Sequence, residues 1–356
     1  MQHRYFASSN SSEGFKNCYA EVFDRADRLY VIKGGPGTGK SSLMKKCAAE
    51  AKKKGAEIEY YYCSSDPESL DGILISLEND VVGLIDGTAP HVWEPSLVGA
   101  KEELVNLGQF WNSQLLREQK NEILSLNNKK SSAYRRAYSY LRSCGNLRAV
   151  TDSLLKKATD HQKLRATAER LARSLELESG RMRTVPAITR AISMIGKYKF
   201  DTFEQNSQKL WKVGAFYGVG EWFLGELADC LVGYNATARV SYDPINSSCI
   251  DGIFIENNAC GFVLSKTDPH SEDDREENDN EKFINPKRFI HTEKLREIRG
   301  ELRYAARLYQ DCLDGALHAL SEAKVYHFLL EDIYKHAMHF GALGEFGKEF
   351  VEKVVK

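Results

Sequence analysis

Short β-prone apolar runs alternate along the chain with longer stretches in which apolar residues recur three and four apart, and this alternation predicts an α/β fold. The first clear unit is Leu29-Tyr30-Val31-Ile32, a buried-strand run. It leads into a glycine-rich stretch, Gly34 to Gly39, and a helix-forming stretch from Ser42 to Lys54 that stops at Gly55. Two further strand runs follow, Ile58 to Cys63 and Val81 to Ile85. From Gly99 to about Leu177 the period is helical. Leu104, Leu107, Phe110, Trp111, Leu115 and Leu116 carry it, and they predict a long helical arm over about 97–177.

The pattern then recurs. With Gly218-Val219-Gly220 set on Gly37-Thr38-Gly39, an offset of 181, Leu210-Trp211-Lys212-Val213 falls on the first strand run. Ile250-Asp251-Gly252-Ile253 falls on Leu70-Asp71-Gly72-Ile73 at 180, Gly261-Phe262-Val263 on Gly83-Leu84-Ile85 at 178, and Thr267 to His270 on Thr88 to His91 at 179. Ordered matches with so little drift predict an internal duplication. Residues 1–178 would form one unit with its arm. Residues 179–356 would form a second, with an acidic loop at about 268–282 and C-terminal helices.

Composition narrows the class. A chain of 356 residues with 42% apolar content sustains a large core and suits two domains. A formal net charge of −1 excludes a protein that is basic throughout. Residues 113–173 nevertheless carry fourteen Lys or Arg against five Asp or Glu, so the arm is either a solvated basic face or a surface for an anionic partner. The run SEDDREENDNEK in the second half reads as disordered, either a solubilising insert or a segment that shields the basic arm or mimics its anionic ligand. Eight scattered cysteines without a Cys-x-x-Cys pair read as reduced thiols rather than metal ligands. The N-terminus has no signal-peptide core and no apolar run reaches about 18 residues, so a cytoplasmic protein that does not enter membranes is expected. Its oligomeric state is left open.

The candidate chemistry sits in the glycine-rich stretch. Gly34-x4-Gly39-Lys40-Ser41 satisfies the P-loop spacing between a strand and a helix. Glycines turn the backbone tightly and aim N–H groups at phosphate oxygens, so Gly34, Gly35, Pro36, Gly37, Thr38, Gly39, Lys40, Ser41 and Ser42 are the expected ATP-binding residues. Lys40 would reach the β- and γ-phosphates, and the Ser41 hydroxyl would join the Mg²⁺ shell. Asp86, at the end of the Val81 to Ile85 run, is the expected second carboxylate for that magnesium, acting through water. Gly87 follows it where many ATPases place an acid, so the water-orienting group must lie elsewhere. Asp66, Asp71 and His91 are the nearest candidates.

Two decoys fail on spacing. Lys33 and Lys40 are seven apart, not the five of the partitioning ATPases, and Ser265 to Asp268 stands over 220 residues from the P-loop, against a guanine-reading role. In the second half Glu221 stands at the position of Lys40, Trp222 at that of Ser41 and Leu264 at that of Asp86. That copy is expected not to hold Mg-ATP, with Trp222 and Phe223 filling the vacated space.

Taken together, RYFAS, KGGPGTGKSSLMKK, YYCSSDPESLDG, DGTAPH and LVNLGQFW resemble a poorly characterised group of bacterial duplicated P-loop proteins known as ATPases or ATP-binding proteins. The segment GGPGTGKS is itself similar to the loop of AAA-type and helicase-type ATPases. The resemblance implies a P-loop NTPase fold in two copies, a mainly parallel sheet with flanking helices, and ATP with Mg²⁺ as ligand. It implies a P-loop in both copies, from which the second half departs. The expected function is slow Mg-dependent ATP hydrolysis coupled to a conformational change. The alternatives are a kinase passing the γ-phosphoryl to a nucleotide or small molecule, and a nucleotide sensor without turnover.

Overall fold

Two six-stranded mixed sheets with the same internal order organise the chain. The computed structural model describes residues 3–90, 92–265 and 280–356, and elements are numbered along the chain. The first sheet runs β1 (His3–Phe6), β5 (Glu57–Tyr62), β6 (Leu70–Ser76), β7 (Val81–Asp86), β4 (Arg28–Lys33) and β8 (Glu102–Asn106). The second, read from its matching edge, runs β9 (Arg183–Pro186), β13 (Thr237–Tyr242), β14 (Ile250–Ile255), β15 (Cys260–Ser265), β12 (Lys209–Gly214) and β16 (Glu281–Ile284). Neighbours are parallel except around β6 and around β14, which run against both of their partners. The registers also correspond: Ile32 faces Asp86 in the first sheet, and Val213 faces Leu264 in the second.

Central strands follow from their sequences. Leu29 to Ile32 and Val82 to Ile85 are buried without alternation, as expected of strands covered on both faces. Helices α1 (Tyr19–Phe23), α2 (Lys40–Lys53), α6 (Thr202–Asn206) and α7 (Val219–Leu231) cover them. Helix α2 buries Leu43, Met44, Cys47, Ala48 and Ala51, spaced to make one stripe, and closes with Gly55 at φ +84°. Two hairpins, β2 (Ser8–Ser11) with β3 (Gly14–Asn17) and β10 (Arg190–Ser193) with β11 (Gly196–Lys199), lie between the sheets' outer strands and the long helices.

The arm departs from its expected extent. Residues 102–106 form β8, paired in parallel with β4, rather than the start of a helix. The cause is local. Glu102 is 3% exposed, and its carboxylate accepts from Trp93 Nε1 at 2.8 Å and from the backbone of Leu97 at 2.8 Å, which closes the loop that feeds the strand. Asn106 then caps a 3-10 turn at Leu107–Phe110, and Asn112 caps α3 (Ser113–Glu118). The three-and-four spacing of Leu104 to Leu116 is therefore strand, turn and helix in succession. Helix proper continues as α4 (Lys120–Ala158) and α5 (His161–Arg173).

Nor is the arm free. The long helix α8 (Thr292–His336) runs antiparallel along α4, with Arg136 paired to Glu322, the Tyr140 ring on Gly315 and Cys144 against Tyr309. Small residues, Ala133 and Ala137 on one helix and Ala316, Ala319 and Ala323 on the other, let the two approach closely. Each helix then delivers its C-terminal end to the other half of the chain. Helix α5 packs on α7, burying Leu164, Ala168 and Leu171 in the core of the second sheet. Helix α9 (Phe340–Val355) packs on α2, burying Phe350, Val354 and Val355 in the core of the first. Matching hydrogen bonds fix both exchanges: His339 N to Phe110 O and Asn112 N to Ala337 O on one side, Asp160 N to Phe289 O and His291 N to Ala158 O on the other, all between 2.7 and 2.8 Å.

The sheets share a third core of Tyr5, Phe23, Leu29 and Tyr61 from one half with Phe203, Leu210, Phe254 and Val263 from the other. At its edge Glu59 accepts from Arg25 at 3.0 Å and from Arg239 at 2.9 Å. Burial opposes its charge, yet the two guanidinium groups hold the Glu59 carboxyl well below the usual carboxylate range. Among the described residues no helix is long and apolar enough to cross a membrane.

Candidate functional site

The strand β4 ends at Lys33, and the chain turns through Gly34 to Gly39 before α2 begins at Lys40. Gly37 and Gly39 have φ +70° and +87°, which an L side chain adopts only with strain. Lys40 folds back into this turn. Its Nζ donates to the carbonyls of Gly34 at 2.9 Å and Gly35 at 2.7 Å, and lies 3.5 Å from the Asp86 carboxylate. Asp86 reaches it because β7 lies directly beside β4 and ends level with it.

The remaining polar groups brace this arrangement. Asp86 Oδ1 accepts from Thr88 N at 2.8 Å, and Thr88 Oγ1 donates to Gly34 O at 2.9 Å, so the turn after β7 is tied to the turn after β4. Thr38 Oγ1 donates to Gly35 O at 2.9 Å, and Ser41 Oγ accepts from Leu70 N at 3.0 Å. Lys33 points away from the loop to the carbonyls of Gly87 and Trp93. An ammonium, a hydroxyl at the helix start and one carboxylate fit the donor set of a magnesium-bound phosphate chain, in which phosphates and water supply most ligands. Among the described residues no three His, Cys, Asp or Glu side chains form a protein-only metal site.

The water-orienting candidates part company. Asp71 starts β6 at the same sheet edge as Asp86, but it is 4% exposed, and its carboxylate accepts the Tyr19 hydroxyl at 3.0 Å. It is committed to packing. Asp66 lies in the loop before β6, where burial raises its carboxyl above the ordinary value while the Glu68 N–H and His327 oppose the shift. His91 lies outside the described residues, as do the Thr267 to His270 match and residues 268–279 of the acidic run.

Two elements from distant sequence complete the site. The C-terminal turns of α8 lie on the glycine-rich loop: a Cβ at Gly35 would meet the Tyr334 ring at 2.8 Å, and one at Gly37 would meet the Glu331 carbonyl at 2.8 Å. His327, one turn earlier, has Nε2 3.7 Å from the Glu331 carboxylate, which also accepts from Lys335 at 3.0 Å. Burial lowers the imidazole below its ordinary value; Glu331 and Asp66 oppose that, and Lys130 and Lys40 add to it. Lys130, on α4, is itself lowered by burial. Lys40, Asp66, Lys130, His327 and Glu331, whose charges act on one another, thus come from four separate parts of the chain. Sequence reading missed Lys130, His327, Glu331 and Tyr334; the only trace of them is a His and a Glu four apart on a long amphipathic helix.

The second glycine-containing turn, residues 215–220, is filled differently. Helix α4 sends Arg148 into it, and a Cβ at Gly218 would overlap the guanidinium. Arg148 is paired with Glu221 and donates to Asp152 at 3.0 Å. Trp222 does not occupy the turn as expected: its ring lies 5.7 Å from that of His161 on α5. Phe223 stacks on Phe289 in the core. Burial and the Asp243 carboxylate push the Glu221 carboxyl up to about 7, against the pull of Arg148.

Residues 12–126, which include the loop, Lys40 and Asp86, match the family model described as Nephrocystin 3, N-terminal. That description is not the bacterial group that the motifs resemble. No curated protein and no solved structure matches the chain.

Proposed function

We propose that the chain is a magnesium-dependent ATP-binding protein of P-loop NTPase fold, internally duplicated, with slow ATP hydrolysis at the first loop only. The observation that carries this reading is Lys40 inside a left-handed glycine turn, 3.5 Å from Asp86 at the ends of two adjacent parallel strands. A lysine so placed neutralises phosphate oxygens, the loop N–H groups cradle them, and Ser41 and Asp86 hold the magnesium and its water. The duplication is supported by the shared strand order and by two reciprocal bridges, Trp111 with Met338 and Thr159 with Ile290, whose members exchange at an offset of 179.

In place of an acid after Asp86, the candidates to orient a water are Asp66, His327 and Glu331, which feel one another's charge, with His327 also feeling that of Lys40 and Glu331 lying on Gly37 of the loop. Their dependence on α8 makes turnover contingent on how that helix sits, which favours a slow, conformationally coupled reaction over a free-running one. The test is ADP release from the purified chain with and without a panel of nucleosides and nucleotides. Turnover without an acceptor supports the proposal. Turnover only with an acceptor would replace it with a kinase, and magnesium-dependent binding without turnover with a sensor.

A further inference from the structure

Beside the second loop lies a cavity of about 420 Å³ between residues 216–217, the segment 287–290 and the first turns of α8. Its size falls within the range of small-molecule sites, roughly 300–1,000 Å³. Phe216, Tyr217 and Leu295 give it apolar walls; among the described residues Lys287, Arg299 and Arg303 are its charged lining and no carboxylate lines it. Arg299 and Arg303 stand four apart on α8 and so project from one face. Among the described residues neither has a hydrogen-bond or ion-pair partner.

The aromatic wall is held at a cost. Phe216 and Tyr217 have φ of +30° and +54°, in the left-handed region that favours glycine. Such conformations persist where the surroundings over-determine them, and they cluster at ligand sites. The result is that the two rings meet edge to face at 5.4 Å, with Lys287 Nζ 5.7 Å from the Phe216 ring. At the offset that aligns the halves, the first loop has Gly35 and Pro36 here, with no aromatic ring at either place. The aromatic wall is thus a property of the second copy.

We propose that this cavity binds a phosphate monoester bearing a flat ring, by class a nucleoside monophosphate, without a metal. Two arginines on one helix face offer the fork that phosphate oxygens accept in pairs, and a phosphate monoester needs no magnesium when guanidinium groups neutralise it. The rings of Phe216 and Tyr217 supply a stacking surface for a base. Nothing here depends on the proposed chemistry at Lys40, so the two readings can fail separately.

The experiment is calorimetry on the full chain in a metal chelator, with AMP, ribose 5-phosphate and inorganic phosphate as probes. AMP is expected to bind the wild type and Lys40→Ala equally, and to bind the Arg299→Ala/Arg303→Ala double variant at least about tenfold more weakly. Tyr217→Ala is expected to weaken AMP while leaving ribose 5-phosphate unchanged, a split that a loss of folding would not give. The proposal is overturned if AMP binding disappears in Lys40→Ala, survives loss of both arginines, or does not exceed that of inorganic phosphate.

Discussion

Replacing Arg148 with alanine tests whether the second loop is held shut from within. In the folded chain the guanidinium and the Glu221 side chain are 15% and 6% exposed, so the pair is largely out of water. Removing one partner of a buried pair costs about 3–5 kcal/mol, because the other charge stays buried without compensation. Glu221 can escape part of this by taking up a proton, which points to the lower end, about 3 kcal/mol at neutral pH. The pH dependence then has a definite sign. The Glu221 carboxyl rises from an ordinary 4.5 to about 7 in the fold, so its contribution to stability is complete below 4.5 and is lost as pH rises through about 7. Without Arg148 the folded carboxyl rises further, and the upper edge of that window moves up. The deficit of Arg148→Ala relative to the wild type should therefore be larger at pH about 7.5 than at about 5.5, measured by urea unfolding followed through tryptophan fluorescence. Equal stabilities at the higher pH, or a larger deficit at the lower, would refute the latch.

Lys40→Ala should abolish magnesium-dependent ATP binding, whereas Glu221→Gln leaves it within about twofold; calorimetry with Mg-ATP decides, and two magnesium-dependent sites per chain would contradict the assignment. Asp86→Asn should weaken ATP binding far more with Mg²⁺ than in chelator, since the carboxylate acts through the ion's shell; equal losses would reduce Asp86 to a turn residue. Because the Tyr334 ring lies on Gly35, Tyr334→Ala should raise the loop's open fraction and tighten Mg-ATP binding several-fold in an equilibrium titration, and unchanged or weaker binding would mean that the ring does not cover the nest. Ending the chain before Phe340 removes Phe350, Val354 and Val355 from α2, with about 1.5–3 kcal/mol of burial at stake for each large side chain; the truncated protein should bind an apolar dye and aggregate, and a soluble monomer of wild-type stability would argue against the exchanged packing.

The parts of this architecture legible in the sequence are those with local causes. The loop at Gly34 to Lys40 was readable because each position answers to a backbone angle or a charge, and the two central strands because Leu29 to Ile32 and Val82 to Ile85 are continuous apolar runs. The offset near 180 set Val213 on Ile32 and Leu264 on Asp86, and the registers pair Val213 with Leu264 as they pair Ile32 with Asp86. Failure came where one period had two sources. Leu104 to Leu116 fits a helix by spacing, yet Glu102, a charged residue that a burial pattern would place outside, is what anchors the stretch as a strand.

The identity of the groups facing each loop was illegible for a different reason. An arm read from period alone has no direction, and the run of arginines on α4 gave no sign that Arg148 would serve the second loop while Lys130, five turns earlier, would serve the first. That division follows from antiparallel packing: a helix of 39 residues lying along one of 45 must carry its two ends to opposite halves of the molecule. The same geometry brings Glu331 and Tyr334 to the first loop from almost 300 residues away. It also gives the two loops opposite fillings. The one beside Lys40 is covered by the Tyr334 ring and the Glu331 carbonyl, neutral groups whose displacement would leave no buried charge unpaired. The turn before Glu221 is filled by Arg148, whose departure would strand that carboxylate, so under the proposed reading the arm would be held at the second loop while the first opens.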